Sequence, residues 1–116
     1  MAMRGYYGEK RRINEMRKAG WIGFRLTGTV GDLSYGADVV FLRRNPFNGE
    51  IEVRIEQIKF TSKDVYYFDK RARSEWKRLR KLSEKLKIPC YFVVYFKNKG
   101  KVVLKVNGEP PKSVRL

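Results

Sequence analysis

The sequence predicts an α/β domain with a single mixed β-sheet flanked by helices, in the order α-β-β-β-α-β-β. Two segments, 6–19 and 69–87, repeat apolar residues at helical spacing, whereas five shorter runs are rich in β-branched and aromatic residues. The chain has 116 residues, which suits one domain with a buried core. No repeat, linker or low-complexity stretch divides the sequence, so we expect one domain over 1–116.

The first half of the chain is predicted to hold one helix and three strands. Gly20 marks the end of the first helix. A glycine-rich loop at 27–36 precedes the second strand, and a turn at 45–49 precedes the third. The three strands are expected at 21–26, 37–44 and 50–60.

The second half begins with a basic amphipathic helix, 69–87, followed by two strands at 91–96 and 102–106. A helix between two strands of one sheet makes a parallel pair, so the strand after it should run parallel to an earlier one. The tail 109–116 is expected to be loosely ordered. The core-facing residues of the helix are predicted to be Ala72, Trp76, Leu79, Leu82 and Leu86.

Composition restricts the chemistry that this chain could carry. Histidine is absent and cysteine occurs once, which excludes histidine-based catalysis, a Cys/His zinc site and an intrachain disulfide. Cys90 is expected to be a small buried apolar residue. An active site would have to use carboxylates, amides, lysines and hydroxyls, and such oxygen-rich sites suit a hard cation, Mg²⁺ or Mn²⁺.

The chain is strongly basic, with 27 Lys and Arg against 12 Asp and Glu and a net charge of +15. Such a surplus predicts salt-sensitive binding to a polyanion, and nucleic acid is the leading candidate. The basic side chains concentrate in 1–18 and 69–88. No long apolar run or targeting motif points to a membrane, so we expect a cytoplasmic protein without a membrane partner.

Two acidic residues fall where the hydrophobic pattern calls for apolar ones. Glu9 lies on the helix stripe of Ile13 and Met16, and Asp38 opens an otherwise apolar strand. Burying a carboxylate is costly without a partner. Each residue also has a simpler interpretation, because Glu9 would complement the helix dipole and Asp38 would suit the end of a turn.

A polar cluster follows the apolar part of the third strand. Period two places Gln57 and Lys59 on one side, in phase with the apolar row, whereas Glu56 points to the other side unless a bulge re-aims it. An amide oxygen and an ammonium beside an apolar row are typical of an active site. The alternative is an edge strand whose lysine prevents aggregation. A hairpin would bring Asp38 close to this pair, with Glu9 above them on the first helix.

With a helix acid, a strand acid and then polar-x-Lys, the chain resembles the PD-(D/E)xK nucleases of restriction-endonuclease-like fold. Among them it is most similar to the archaeal Holliday junction resolvases of the Hjc type, over roughly residues 4–106. The other matching motifs are Arg4-Gly5, Gly20-Trp21, Phe24-Arg25, Thr27-Gly28-Thr29, Ser34, the aromatic Tyr66, Tyr67 and Phe68, and the apolar strand from Pro89 to Phe96.

The resemblance implies a metal-dependent endonuclease that resolves four-way DNA junctions as a homodimer, since two symmetric nicks require two active sites. Glu9 and Asp38 would hold Mg²⁺ or Mn²⁺, and Gln57 would offer its side-chain oxygen. Lys59 would polarise the attacking water, and Ser34 or Thr27 would touch the scissile strand. The residues expected to bind DNA are Arg4, Arg25, Thr27, Lys63, Lys70, Arg71, Lys77, Arg78 and Lys81.

Two departures from the family pattern leave alternatives open. Ala37 stands where many members have proline, and Gln57 stands where the usual metal ligand is Glu or Asp. A glutamine carbonyl still ligates Mg²⁺, though more weakly, or Glu56 turns inward through a bulge and supplies the carboxylate. A third alternative is a non-catalytic nucleic-acid-binding module of the same fold. A basic RNA-associated protein is a further class, which leaves Glu9 and Asp38 unexplained.

Overall fold

The computed structural model describes the backbone of residues 2–26 and 35–116 and the side chains of 7–26 and 35–116. Two helices flank a five-stranded mixed sheet, and a two-stranded sheet lies beside it. The elements are α1 (Ala2–Arg17), β1 (Ile22–Arg25), β2 (Val39–Arg44), β3 (Ile51–Thr61), β4 (Val65–Tyr67), α2 (Lys70–Leu86), β5 (Cys90–Phe96), β6 (Lys101–Lys105) and β7 (Ser113–Arg115).

The main sheet has the strand order β1-β2-β3-β5-β6, and only its β3–β5 pair is parallel. The predicted parallel strand after the second helix is therefore confirmed. The β2–β3 register is constant from Val39↔Glu56 to Arg44↔Ile51, and the β3–β5 register is constant from Ile55↔Cys90 to Thr61↔Phe96. Since neither register shifts along these pairs, β3 keeps its period of two through the polar cluster.

Each face of the sheet carries its own apolar core. The α1-side core contains Met16, Trp21 and Phe41, and the α2-side core contains Trp76 and Phe92. The central strand β5 contributes alternate residues to both cores, which explains its unbroken apolar sequence. Cys90 is fully buried, as expected.

Helix α2 forms where the sequence predicts it, with well-defined ends. Its N-cap Asp69 accepts a hydrogen bond from the Ala72 N–H at 2.8 Å, and its C-cap Lys87 has the left-handed conformation. Helix α1 begins at Ala2, four residues before the predicted start. Neither of these helices is long and apolar enough to span a bilayer, and the same holds for every helix in the described ranges.

The expectation of a loosely ordered tail is wrong for 113–115. These residues form β7, which pairs with β4 so that Val114 lies opposite Tyr66. Trp76 Nε1 also donates to the Gly108 carbonyl oxygen at 3.1 Å. Strands of three residues are too short for a period-two signal, so only packing against the α2-side core defines them.

Candidate active site

Asp38 is fixed at the point where β2 begins. Its N–H donates to the Glu56 carbonyl oxygen at 2.9 Å, and its Oδ2 accepts from the Ile58 N–H at 2.9 Å. Extending the β2–β3 register by one residue beyond Val39↔Glu56 places Asp38 opposite Gln57. The hairpin therefore brings Asp38 to the polar end of β3, as the sequence predicts.

Gln57 and Lys59 leave β3 on the side of α2, and both contact Glu75 of that helix. Gln57 Nε2 donates to Glu75 Oε2 at 3.2 Å, and Lys59 Nζ lies 2.6 Å from Glu75 Oε1. Gln57 and Glu75 are both buried. The predicted common side of Gln57 and Lys59 is confirmed, and we call these three residues the Glu75 cluster.

Glu75 is the site residue that sequence reasoning missed. It lies three residues after Ala72 and four before Leu79, so it shares the core-facing stripe of α2 with both. A carboxylate on that stripe is as unexpected as Glu9 on the first helix. The signal was present, but the many charged neighbours in α2 make one more acid look like part of a solvated face.

Gly36 brings the segment before Asp38 against Glu75. Its φ is +69°, and a Cβ built there would lie 3.2 Å from the Glu75 carbonyl oxygen and 3.3 Å from the Glu75 Cβ. Both the left-handed backbone and the close contact favour glycine at this position. Asp38 therefore lies two residues after a glycine that packs against the backbone of Glu75.

A buried oxygen of the Glu75 cluster suits a cation. A carboxylate only accepts hydrogen bonds, so the Gln57 amide must turn its NH₂ towards Glu75 and leave Oε1 facing away. Among the described residues, the buried Gln57 Oε1 accepts no hydrogen bond, whereas Glu75 Oε1 pairs with the Lys59 ammonium at 2.6 Å. A buried oxygen without a donor fits Mg²⁺ or Mn²⁺, whose preferred protein ligands are carboxylate and carbonyl oxygens.

The carboxylates alone do not make a complete metal cage. Within 7–26 and 35–116, no group of three Asp, Glu, Cys or His side chains lies close enough to hold a metal ion. A cation at this place would need the Gln57 amide oxygen together with the carboxylates, and Mg²⁺ commonly keeps several waters as its remaining ligands.

Glu9 is buried on α1, as predicted, and its Oε1 accepts from Arg25 Nε at 2.7 Å. Arg25 ends β1 opposite Val39, and the following Leu26 N–H donates to the Asp38 carbonyl oxygen at 2.7 Å. Glu9 thus lies at the same end of the sheet as Asp38, on the α1 side. The metal-binding role of Glu9 and the phosphate-binding role of Arg25 stay predictions.

Glu56 points to the opposite side of the sheet from its neighbour Gln57. Arg12 donates to both of its carboxylate oxygens, at 2.7 and 3.0 Å, and Arg54 Nε donates to Oε2 at 2.6 Å. We call these three residues the Glu56 cluster. Because Glu56 has no exposed surface and no bulge re-aims it, its position favours Gln57 over Glu56 as the strand ligand.

Three other residues of the predicted site lie outside the part that the structure describes. Ser34 and Thr27 belong to 27–34, and the side chain of Arg4 belongs to 1–6. Their predicted contacts with the scissile strand and with DNA stay predictions.

Electrostatics at this end of the sheet extend to Tyr66 of β4. Burial raises the pKa of Tyr66, and the negative charges of Asp69 and Glu75 raise it further, against a smaller opposing effect of Arg71. The Tyr66 hydroxyl therefore stays protonated at neutral pH.

The outer face of α2 carries a basic stripe. Lys70, Lys77 and Lys81 are exposed, and Arg78 is half-buried. Helical spacing places Arg71 and Arg78 four residues before and three residues after Glu75, on the same flank of the helix. A shallow groove on this face is lined by Lys70, Arg73, Ser74, Lys77, Arg78 and Lys81.

Comparisons with known proteins identify the fold. No protein-family model matches the chain, and no curated protein matches it. One solved structure, that of the Holliday junction resolvase Hjc from the archaeal hyperthermophile Archaeoglobus fulgidus, superposes with a TM-score of 0.69. The match covers 97% of this chain and 84% of that one at 15% sequence identity. The chain has the fold of an archaeal Holliday junction resolvase. The restriction-endonuclease-like architecture that the sequence predicts is thereby confirmed.

Proposed function

We propose that this chain is a metal-dependent DNA endonuclease that hydrolyses phosphodiester bonds in branched DNA, with the four-way junction as its preferred substrate. One observation carries the proposal. Asp38 lies opposite Gln57 in the β2–β3 register, and Lys59 lies on the same side of β3 as Gln57, at one end of a sheet of resolvase fold and beside a basic helix face.

The proposed chemistry follows from the charge and position of these groups. A bound Mg²⁺ or Mn²⁺ would supply Lewis acidity at the scissile phosphate. Asp38 and Gln57 would hold that cation through oxygen atoms, with Glu9 reaching it from α1 directly or through water. Lys59, whose side chain is about one-fifth exposed, would orient the attacking water and offset the negative charge that builds up on the phosphate.

The basic stripe of α2 supports DNA as the substrate. Lysine and arginine contacts to phosphates position a duplex without reading its bases, which suits recognition of a branch by shape. Exposed Lys63, in the turn between β3 and β4, would extend the same surface. Two symmetric nicks in a junction require two active sites, so we also propose that the active form is a homodimer.

Cleavage of a labelled four-way junction, compared with a linear duplex of the same sequence, tests the proposal. We expect junction cutting that requires Mg²⁺ or Mn²⁺ and that falls at least about 100-fold in Asp38→Asn and Lys59→Ala. Equal cutting of linear duplex would overturn the substrate. Undiminished cutting by both variants would overturn the site assignment.

A second candidate is a non-catalytic DNA-binding module of the same fold. It is favoured by one observation, the neutral Gln57 at the strand position where the resembling family carries an acid. Tight junction binding without cleavage in either Mg²⁺ or Mn²⁺ would support it. Light scattering of the protein with and without junction tests the homodimer separately.

A further inference from the structure

The geometry points to Glu75 as a metal-ligating residue that supplies, from helix α2, the carboxylate that β3 lacks at Gln57. Asp38, Gln57 and Glu75 would then form the cation site together. This inference rests on the proposed function, because it names the ligands of the site at which that function would operate.

The first support is position. Glu75 Oε2 lies 3.2 Å from Gln57 Nε2, so the helix carboxylate reaches the end of the side chain at the strand position in question. Gly36 holds the segment before Asp38 against the Glu75 backbone, and the β2–β3 register sets Asp38 opposite Gln57. The three side chains are therefore tied to one place by three separate elements.

The second support is the buried side-chain oxygen of Gln57. Gln57 is 3% exposed, and its Oε1 atom accepts no hydrogen bond from the described residues. Such an atom is unfavourable in a folded protein unless something else satisfies it. A divalent cation would satisfy it, and the Glu75 carboxylate, which is 7% exposed and already faces the Lys59 ammonium at 2.6 Å, carries the charge that such a cation requires.

The third support is charge. With glutamine at position 57, Asp38 would be the only acid of the β2–β3 hairpin facing the cation, since Glu56 is enclosed by Arg12 and Arg54. Glu75 restores a second negative charge without changing the strand. A purely structural role, in which Glu75 only neutralises Lys59, would account for the ion pair but not for the buried Gln57 oxygen.

Isothermal titration calorimetry of the DNA-free protein with Mn²⁺ distinguishes a metal-ligating Glu75 from one that only neutralises Lys59. Replacing a group that only supports a metal ligand weakens metal binding by about 10 to 100-fold. Because Glu75 is proposed to be a ligand itself, we expect Glu75→Gln to weaken Mn²⁺ binding by at least about 100-fold. Glu84→Gln is the matched control, because it removes the same charge from an exposed position on the same helix. It should bind Mn²⁺ like the unmodified chain.

Two further comparisons guard against a folding artefact. Lys59→Met should bind Mn²⁺ at least as tightly as the unmodified chain, because a competing cation is removed, whereas Lys59→Met/Glu75→Gln should not bind. Gln57→Glu in the Glu75→Gln background should restore Mn²⁺ binding by returning the carboxylate to β3. Circular dichroism and melting temperature confirm that each variant is folded.

The outcomes distinguish this inference from the proposed function. Equal Mn²⁺ affinity of Glu75→Gln and the unmodified chain overturns the inference, even if the unmodified chain cuts junctions. Absence of Mn²⁺ binding by the unmodified chain also overturns it. Mn²⁺ binding that depends on Glu75, in a chain that cuts no DNA, supports the inference and contradicts the endonuclease proposal.

Discussion

Glu56 and Gln57 are neighbours on β3 and point into two polar clusters of opposite character. On the α1 side, the Glu56 carboxylate receives three hydrogen bonds from Arg12 and Arg54 and has no exposed surface. On the α2 side, Gln57 and Lys59 contact one carboxylate, and the buried Gln57 Oε1 lacks a donor among the described residues.

The hydrogen-bond partners of the two clusters distinguish a structural charge from a functional one. In the Glu56 cluster both carboxylate oxygens already have donors, and Arg54 also stacks over Tyr91 at 3.6 Å. Nothing remains there for a ligand to satisfy. The Glu75 cluster has a buried oxygen without a donor, which a stable core avoids and a bound cation would satisfy.

The largest expected effect on stability comes from breaking the Glu56 cluster. Glu56→Gln leaves the buried Arg12 and the partly buried Arg54 with a weaker partner. Breaking a buried ion pair from one side lowers the free energy of unfolding by about 3–5 kcal/mol. Urea denaturation measures this change. Junction cleavage per folded molecule should be unchanged, and loss of cleavage at full stability would move Glu56 into the active site.

A smaller effect is expected when Gly36 is replaced by alanine. A left-handed backbone with a side chain costs about 1–2 kcal/mol, and the new Cβ would also press on the Glu75 backbone. Gly49→Ala is the matched control, since Gly49 has φ +75° but a Cβ added there would meet nothing within 4 Å.

Both Gly36→Ala and Gly49→Ala should therefore lose stability in urea denaturation, but only Gly36→Ala should also slow junction cleavage. If the two variants cleave equally well, the contact between Gly36 and Glu75 does not position the site.

The lysines of the basic stripe of α2 are expected to contribute additively to junction binding, and their contribution should weaken as the salt concentration rises. Removing one lysine that contacts a phosphate lowers the slope of log affinity against log salt by about 0.9. Lys77→Ala and Lys81→Ala should each show this decrease in junction binding measured by fluorescence anisotropy. Lys105 is exposed on β6, and Lys105→Ala should leave the slope unchanged. An equal decrease in that variant would mean that DNA binding depends on net charge and not on the basic stripe of α2.

The smallest effect concerns Glu15 of α1. Burial alone would raise the pKa of Glu15, but the hydrogen bond from Tyr95 and the charges of Lys101 and Arg11 outweigh it and lower the pKa. A carboxyl whose pKa is lowered by folding stabilises the protein above its ordinary pKa near 4.5, and that contribution is lost as the pH falls below it.

Glu15→Gln should therefore flatten the decrease in stability between neutral pH and about pH 3, as measured by urea denaturation at several pH values. A parallel pH profile in the variant and the unmodified chain would show that Glu15 titrates as it does in the unfolded protein.

Regular elements of this fold were open to prediction because their signals are local. The period of two that sets Gln57 and Lys59 on one side of β3 also sets Glu56 on the other, and the observed register preserves it. The pairing of β4 with β7 was not predictable, because two three-residue strands that are far apart along the chain have no periodic pattern of their own.

The amino-acid sequence was sufficient to predict the α/β class, a strand after the second helix that is parallel to an earlier one, and the approach of Asp38 to the polar end of β3. The contacts of Glu75 with Gln57 and Lys59 depend on tertiary packing, as does the enclosure of Glu56 by two arginines. Local periodicity fixes the face on which a side chain lies. Which distant side chain it meets depends on how α1 and α2 pack across the sheet, and no short stretch of sequence encodes that contact.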